Sequence, residues 1–128
     1  MQAAIREMVT ASAVDSAHDL GEGGLAVALA EASFGGIGAG IDLPTNGARD
    51  EFILFHEGPS RILISTSDPA AVERIAARHG VPALHVGVTG GARLAIRRTG
   101  GATLLDVDVA ALHAAWENAL PSKLGAAR

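Results

Sequence analysis

A chain of 128 residues with 48% hydrophobic and 19% charged residues carries enough apolar material for one buried core and is not a disordered segment. The formal net charge of −4, with no basic block beyond Arg97-Arg98, excludes the electrostatic footprint of a nucleic-acid or membrane-surface binder, and 3% aromatic residues leave no stacking platform for single strands. Cysteine is absent, so neither a disulfide frame nor a thiolate metal site exists, and no apolar run reaches the roughly 18 residues of a membrane span. With no signal-peptide pattern either, the expectation is a cytoplasmic domain with no nucleic-acid or membrane partner.

In chain order, residues 2–12 place Ile5, Met8 and Val9 on one helical face, with Arg6 and Glu7 turned elsewhere. An extended approach, Ala13 to Ala17, leads into His18-Asp19-Leu20-Gly21-Glu22-Gly23-Gly24. Leu25 to Ser33 is apolar on nearly every side, which predicts a helix covered on most faces and ended by Gly35 as a left-handed cap. Gly36 to Pro44 reads as a strand whose alternate glycines predict a helix or another backbone close against it. After a polar loop, Glu51 to Phe55 predicts a helical turn, and Leu54 to Arg61 a second polar turn. The branched run Ile62 to Thr66 predicts a central strand buried on both faces.

Ser67 or Asp68 is placed to cap a helix starting at Pro69, with Val72, Ile75, Ala76 and His79 inward and Gly80 and Pro82 ending it. His85–Thr89, Ala92–Arg98 and Ala102–Val107 predict three strands joined at Gly90-Gly91 and Gly100-Gly101, each a hairpin signal. Leu94 and Ile96 share one face of the middle strand, and Arg93, Ala95 and Arg97 the other. Asp108 is placed to cap a final helix whose Val109, Leu112, Trp116 and Leu120 are expected to dock on the sheet. Pro121 is expected to stop it, leaving one domain over 1–121 and a frayed tail over 122–128. The whole predicts an α+β fold, a mixed sheet with helices packed on it in three layers.

The stretch with chemical character is the glycine loop before the second helix. The first N–H groups of a helix lack intrahelical partners and carry partial positive charge, so a phosphate or carboxylate is favoured there. The loop is neither a Walker A sequence nor a dinucleotide fingerprint. His18 is open to two readings, a substrate contact or a structural hydrogen-bonder. Asp19 and Glu22 either hold magnesium through water or cap the helix. Arg61 either holds phosphate or pairs with Glu57 across its turn. His56, His79, His85 and His113 show no ligand spacing, and no metal ligand is assigned.

His18-Asp19-Leu20-Gly21-Glu22-Gly23-Gly24-Leu25 resembles the H-D-x-S-[DE]-G-G-L loop in the C-terminal domain shared by aminoimidazole ribonucleotide synthetase, selenophosphate synthetase, thiamine-monophosphate kinase and phosphoribosylformylglycinamidine synthase. Ser16-Ala17-His18-Asp19 before the glycines, Leu25 to Glu31 after them, Leu54-Phe55-His56-Glu57-Gly58-Pro59-Ser60-Arg61, and a tryptophan-bearing final helix make the chain most similar to the last of these families. The resemblance runs from about Ile5 to Leu120 and implies an aminoimidazole ribonucleotide synthetase C-terminal-domain-like fold.

It also implies a C-terminal domain of a much longer carbon–nitrogen ligase of purine biosynthesis. That ligase uses ATP, magnesium and ammonia from glutamine to turn formylglycinamide ribonucleotide into formylglycinamidine ribonucleotide. The chain alone is then expected to be inactive, with no catalytic residue of its own and no certain cofactor. Its implied partners are the ligase's other domains, a glutaminase and small accessory subunits, and its apolar content leaves a homodimer open. His18, Asp19, Gly21, Glu22, Gly23, Gly24, Glu57, Gly58, Ser60 and Arg61 are the implied phosphate- or nucleotide-facing residues. Gly21 and Gly58 stand where that family has serine, and each change removes a hydroxyl donor. This points to an auxiliary nucleotide site or an interdomain scaffold instead of the turnover site. The alternatives are a free-standing interaction or dimerisation module, and a fragment of aminoimidazole ribonucleotide synthetase or thiamine-monophosphate kinase.

Overall fold

The structure is a computed structural model and describes residues 1–125. Its elements are α1 (Gln2–Thr10), β1 (Ser16–Asp19), α2 (Gly24–Ser33), β2 (Ala39–Leu43), α3 (Asp50–Phe55), β3 (Ile62–Ser65), α4 (Pro69–Arg78), β4 (Gly87–Thr89), β5 (Arg93–Arg98), β6 (Thr103–Asp108) and α5 (Val109–Lys123). The fold is α+β, with a mixed four-stranded sheet ordered β4-β2-β5-β6 and a separate antiparallel pair, β1 and β3.

Leu94 and Ile96 of β5 are completely buried under Leu25 and Leu29 of α2 and beside Ile41 and Leu43 of β2. Burying each such side chain favours folding by roughly 1.5–3 kcal/mol. A second cluster joins Ala4 and Met8 of α1 to Val72, Ile75 and Ala76 of α4. Helix α4 begins as its residues dictate: Asp68 accepts a 3.0 Å hydrogen bond from the Ala71 N–H, and Pro69 needs no partner in the first turn.

Several expectations are corrected. Val9 is exposed, and Ala4 takes the inward place in α1, because the face turned to α4 carries Ala4 and Met8. Helix α2 is covered on most faces, as expected, with only Glu31 and Ala32 exposed, but the left-handed glycine after it is Gly36, not Gly35. Strand β3 pairs only with β1 and is half-buried along its length, so it is not a central strand. His79 lies at the helix end and turns to the Glu7 carboxylate, 2.6 Å away, instead of joining the core.

The β4–β5 hairpin does not form. Strand β2 lies between the two, antiparallel to β4 and parallel to β5. Two close approaches hold it there: a Cβ on Gly38 would lie 2.0 Å from the Arg93 carbonyl oxygen, and one on Gly87 2.0 Å from that of Gly40. Gly40 itself faces open space, so only part of the alternating-glycine reading holds. The β5–β6 hairpin forms as expected.

Asp108 precedes α5 without a side-chain cap bond, because its carboxylate accepts instead from Arg93 Nη1 at 2.9 Å. Arg93 also donates to Asp106 at 2.7 Å, and this bond first, with the nearby carboxylate charges, raises its pKa above the ordinary value. Val109 is buried and Leu112 half-buried, yet Trp116 and Leu120 are exposed. Pro121 does not stop α5, which continues to Lys123. A proline here leaves a carbonyl one turn earlier unbonded, and on an exposed helix water takes that place. Of the expected tail, 126–128 lie outside the described residues.

Candidate functional site

The fold brings the two glycine-bearing segments together. Strand β1 delivers the first through its register with β3, His18 opposite Leu63 and Asp19 opposite Ile62. The ladder is extended by one bond beyond the strands, the Leu20 N–H donating to the Arg61 carbonyl at 3.0 Å. Residues 20–24 and 56–61 therefore face each other.

The Glu57 carboxylate crosses between them and accepts a 2.8 Å hydrogen bond from the Gly23 N–H. Gly23, at φ 81°, is the N-cap of α2, and the Gly24 N–H donates to the Gly21 carbonyl at 3.2 Å. Gly24 also abuts the end of α3: a Cβ there would lie 2.8 Å from the Phe55 carbonyl carbon and 2.9 Å from the His56 carbonyl oxygen. Only glycine allows α2 to start this close to α3.

The other candidate residues sit around this joint. His18 Nε2 lies 2.9 Å from Glu31 Oε2, so the imidazole ties β1 to the outer side of α2. Neither Asp19 nor Glu22 caps α2, because Glu57 arrives from another part of the chain to do so. The Asp19 carboxylate lies against Gly21, where a Cβ would meet it at an ordinary 3.6 Å. Arg61 does not pair with Glu57. It donates from Nη1 to the His56 carbonyl at 3.2 Å and so closes its own turn. Gly58 is buried under the His56 ring, and Ser60 adopts a left-handed φ of 60°.

His56, Gly58, Ser60, Arg61 and Leu20 also line one side of a cleft of about 660 Å³ with mostly apolar walls drawn from both core clusters. Sequence reasoning missed the Gly23 N–H as the partner of Glu57, and also Glu31 for His18 and the His56 carbonyl for Arg61. The His18–Glu31 contact joins residues 13 apart with no shared periodicity, and the other two use main-chain atoms without side-chain identity.

The description that matches this sequence is AIR synthase related protein, C-terminal domain, over residues 1–98. The chain belongs to this family. Among curated relatives, this AIR synthase related C-terminal domain is 41% identical over 126 residues to the phosphoribosylformylglycinamidine synthase subunit PurL of Methylocella silvestris, covering 96% of the chain and 16% of that protein. It is 39% identical over 125 residues to the PurL subunit of Moorella thermoacetica, covering 94% and 17%. The chain therefore spans about one-sixth of the length of the curated relatives it matches. Among solved structures, Thermotoga maritima PurL complexed with ATP superposes with a TM-score of 0.75 at 24% identity, covering 86% of this chain and 20% of that one. The PurLQS structure from the same organism gives 0.74 with the same coverage. The domain thus has the fold expected from its glycine loop.

Proposed function

We propose that this domain is one module of a phosphoribosylformylglycinamidine synthase, the ATP-dependent ligase that forms formylglycinamidine ribonucleotide from formylglycinamide ribonucleotide and glutamine-derived ammonia. The identity with PurL subunits along nearly the whole chain supports this reading. The partners are then the remaining synthase domains, with a glutaminase and small accessory subunits, in the cytoplasm. The naming of PurLQS in a related structure is in line with that assembly.

Within such an enzyme the domain works as a scaffold beside an auxiliary nucleotide site. One observation carries this: the Glu57 carboxylate already holds the Gly23 N–H, the donor at the helix mouth that a phosphate would use. A second negative group is repelled from that point. A phosphate-bearing ligand would therefore meet the outer edge of the site, His18 to Gly24 and Glu57 to Arg61, while neighbouring domains supply most of its contacts. ATP or ADP and magnesium belong to the assembled synthase, and no chemical step is completed by these residues.

Calorimetric titration of the 128-residue chain with ADP and magnesium tests the assignment. No saturable heat is expected. Saturable binding by the isolated chain would overturn the scaffold reading. In a full-length synthase carrying this domain, the pair Gly21→Ser and Gly58→Ser should leave turnover almost unchanged, and a large rise would move the loop to the turnover site.

A further inference from the structure

Helix α5 begins inside the domain and leaves it. Its residues Val109, Leu112, Trp116 and Leu120, with Leu124 at the cap just past its end, fall within about a third of the helix circumference and form a stripe of large apolar side chains. Val109 is covered, 3% exposed against the β6 end of the sheet, and Leu112 is half-buried against the core. The later three are bare: Trp116 is 60%, Leu120 71% and Leu124 77% exposed. From Leu112 to Lys123 the helix advances by about 16 Å, and the face that docks on the domain's own core runs on past its edge.

The uncovered part is organised. The Phe34 ring, at the end of α2, stacks on His113 at 4.9 Å and tilts against Trp116 at 5.5 Å. A tryptophan already held by its neighbours loses little rotamer freedom on docking, and tryptophan is enriched among residues that dominate interfaces.

We propose that the overhanging half of α5 is an interdomain docking surface, and that its occupant is a neighbouring domain of the same synthase polypeptide presenting an apolar face. This rests on the synthase reading above. The choice of occupant follows from length: the PurL relatives match this chain over 16–17% of their own, so most of a relative's chain lies outside the matched part. A covalently linked domain is present at high effective concentration, which suits a surface made of one helix face and one aromatic stack. The face also continues the domain's own core without a break, as expected where two domains share an apolar seam.

The test is hydrogen exchange over residues 113–124 in two proteins: the 128-residue chain, and the Methylocella silvestris PurL subunit with its matched segment replaced by this chain. The expected result is exchange slower by about tenfold or more in the chimaera, independent of concentration. In the chimaera Leu120→Glu should remove that protection, whereas in the isolated chain, where the side chain is exposed, it should change nothing. Equal exchange in both proteins overturns the proposal. So does protection of the isolated chain that rises with its concentration, which would make the occupant a second copy. Synthase activity of the chimaera reports separately on the functional reading: an active chimaera with unprotected α5 keeps that reading and rejects the surface, and an inactive one with protected α5 does the reverse.

Discussion

The Glu57 carboxylate accepts a 2.8 Å hydrogen bond from the Gly23 N–H, joining two turns that are 34 residues apart. A side chain that reaches the first donor of a helix acts as its cap, whatever its distance along the chain. Glu57→Ala should therefore lower stability by about 1 kcal/mol. Asp19→Asn and Glu22→Gln should each stay within about 0.5 kcal/mol of the parent. Urea denaturation of the three variants checks the ranking; a Glu22 loss equal to the Glu57 loss would return the cap to the local residue.

Two neighbouring glycines should respond in opposite ways. Gly38→Ala forces a Cβ to 2.0 Å from the Arg93 carbonyl oxygen, so strands β2 and β5 must separate. A cost of about 3 kcal/mol or more, or failure to fold, is expected. Gly40→Ala meets open space at an ordinary φ and should be neutral or gain up to about 1 kcal/mol by restricting the unfolded chain. Thermal melts of the pair separate close approach from mere glycine content.

The serine substitutions also differ. Gly21→Ser has room beside Asp19 and should change stability by less than about 0.5 kcal/mol. Gly58→Ser places its Cβ 2.9 Å from His56 Cε1, so the ring must turn away from Phe52, with which it makes an edge contact at 4.3 Å between centroids. A loss of about 1 kcal/mol is expected from that rearrangement. Scanning calorimetry of the two single variants measures it.

Acid should loosen the contact between α1 and α4. The hydrogen bond from His79, with the charges of Arg78 and His79, holds the Glu7 carboxyl below its ordinary value of 4.5. A lowered native pKa means that this contribution is fully present above 4.5 and is lost as pH falls through the native value. Glu7→Gln removes the titrating group. Unfolding measured from about pH 6 down to about pH 3 should show the parent losing stability relative to Glu7→Gln only in the acid part of that range. A parallel decline of the two proteins would mean that the cluster does not contribute.

Much of the fold was legible because it depends on neighbours in the chain. The Asp68-Pro69 start of α4, the inward Leu94 and Ile96 of β5, and the Gly100-Gly101 hairpin each follow from residues within one or two turns of one another. The glycine loop was legible too, as was the family to which it belongs. The bonds that define the candidate site were not. Glu57 with Gly23, His18 with Glu31 and Arg61 with the His56 carbonyl depend on where two turns meet, and that is set by the β1–β3 register.

The local pattern thus accounted for which residues form helices and strands, for the apolar faces and for the absence of thiolate chemistry, since propensity, capping and side-chain period act over a few residues. Strand order and cover came from tertiary packing. Gly90-Gly91 reads locally as a hairpin, yet β2 enters between β4 and β5 because Gly38 and Gly87 let its backbone approach theirs. The period of α5 is equally clear in the sequence, but whether Trp116 and Leu120 are buried depends on how far the sheet beneath them extends, a property of the packed fold and of whatever lies beside it.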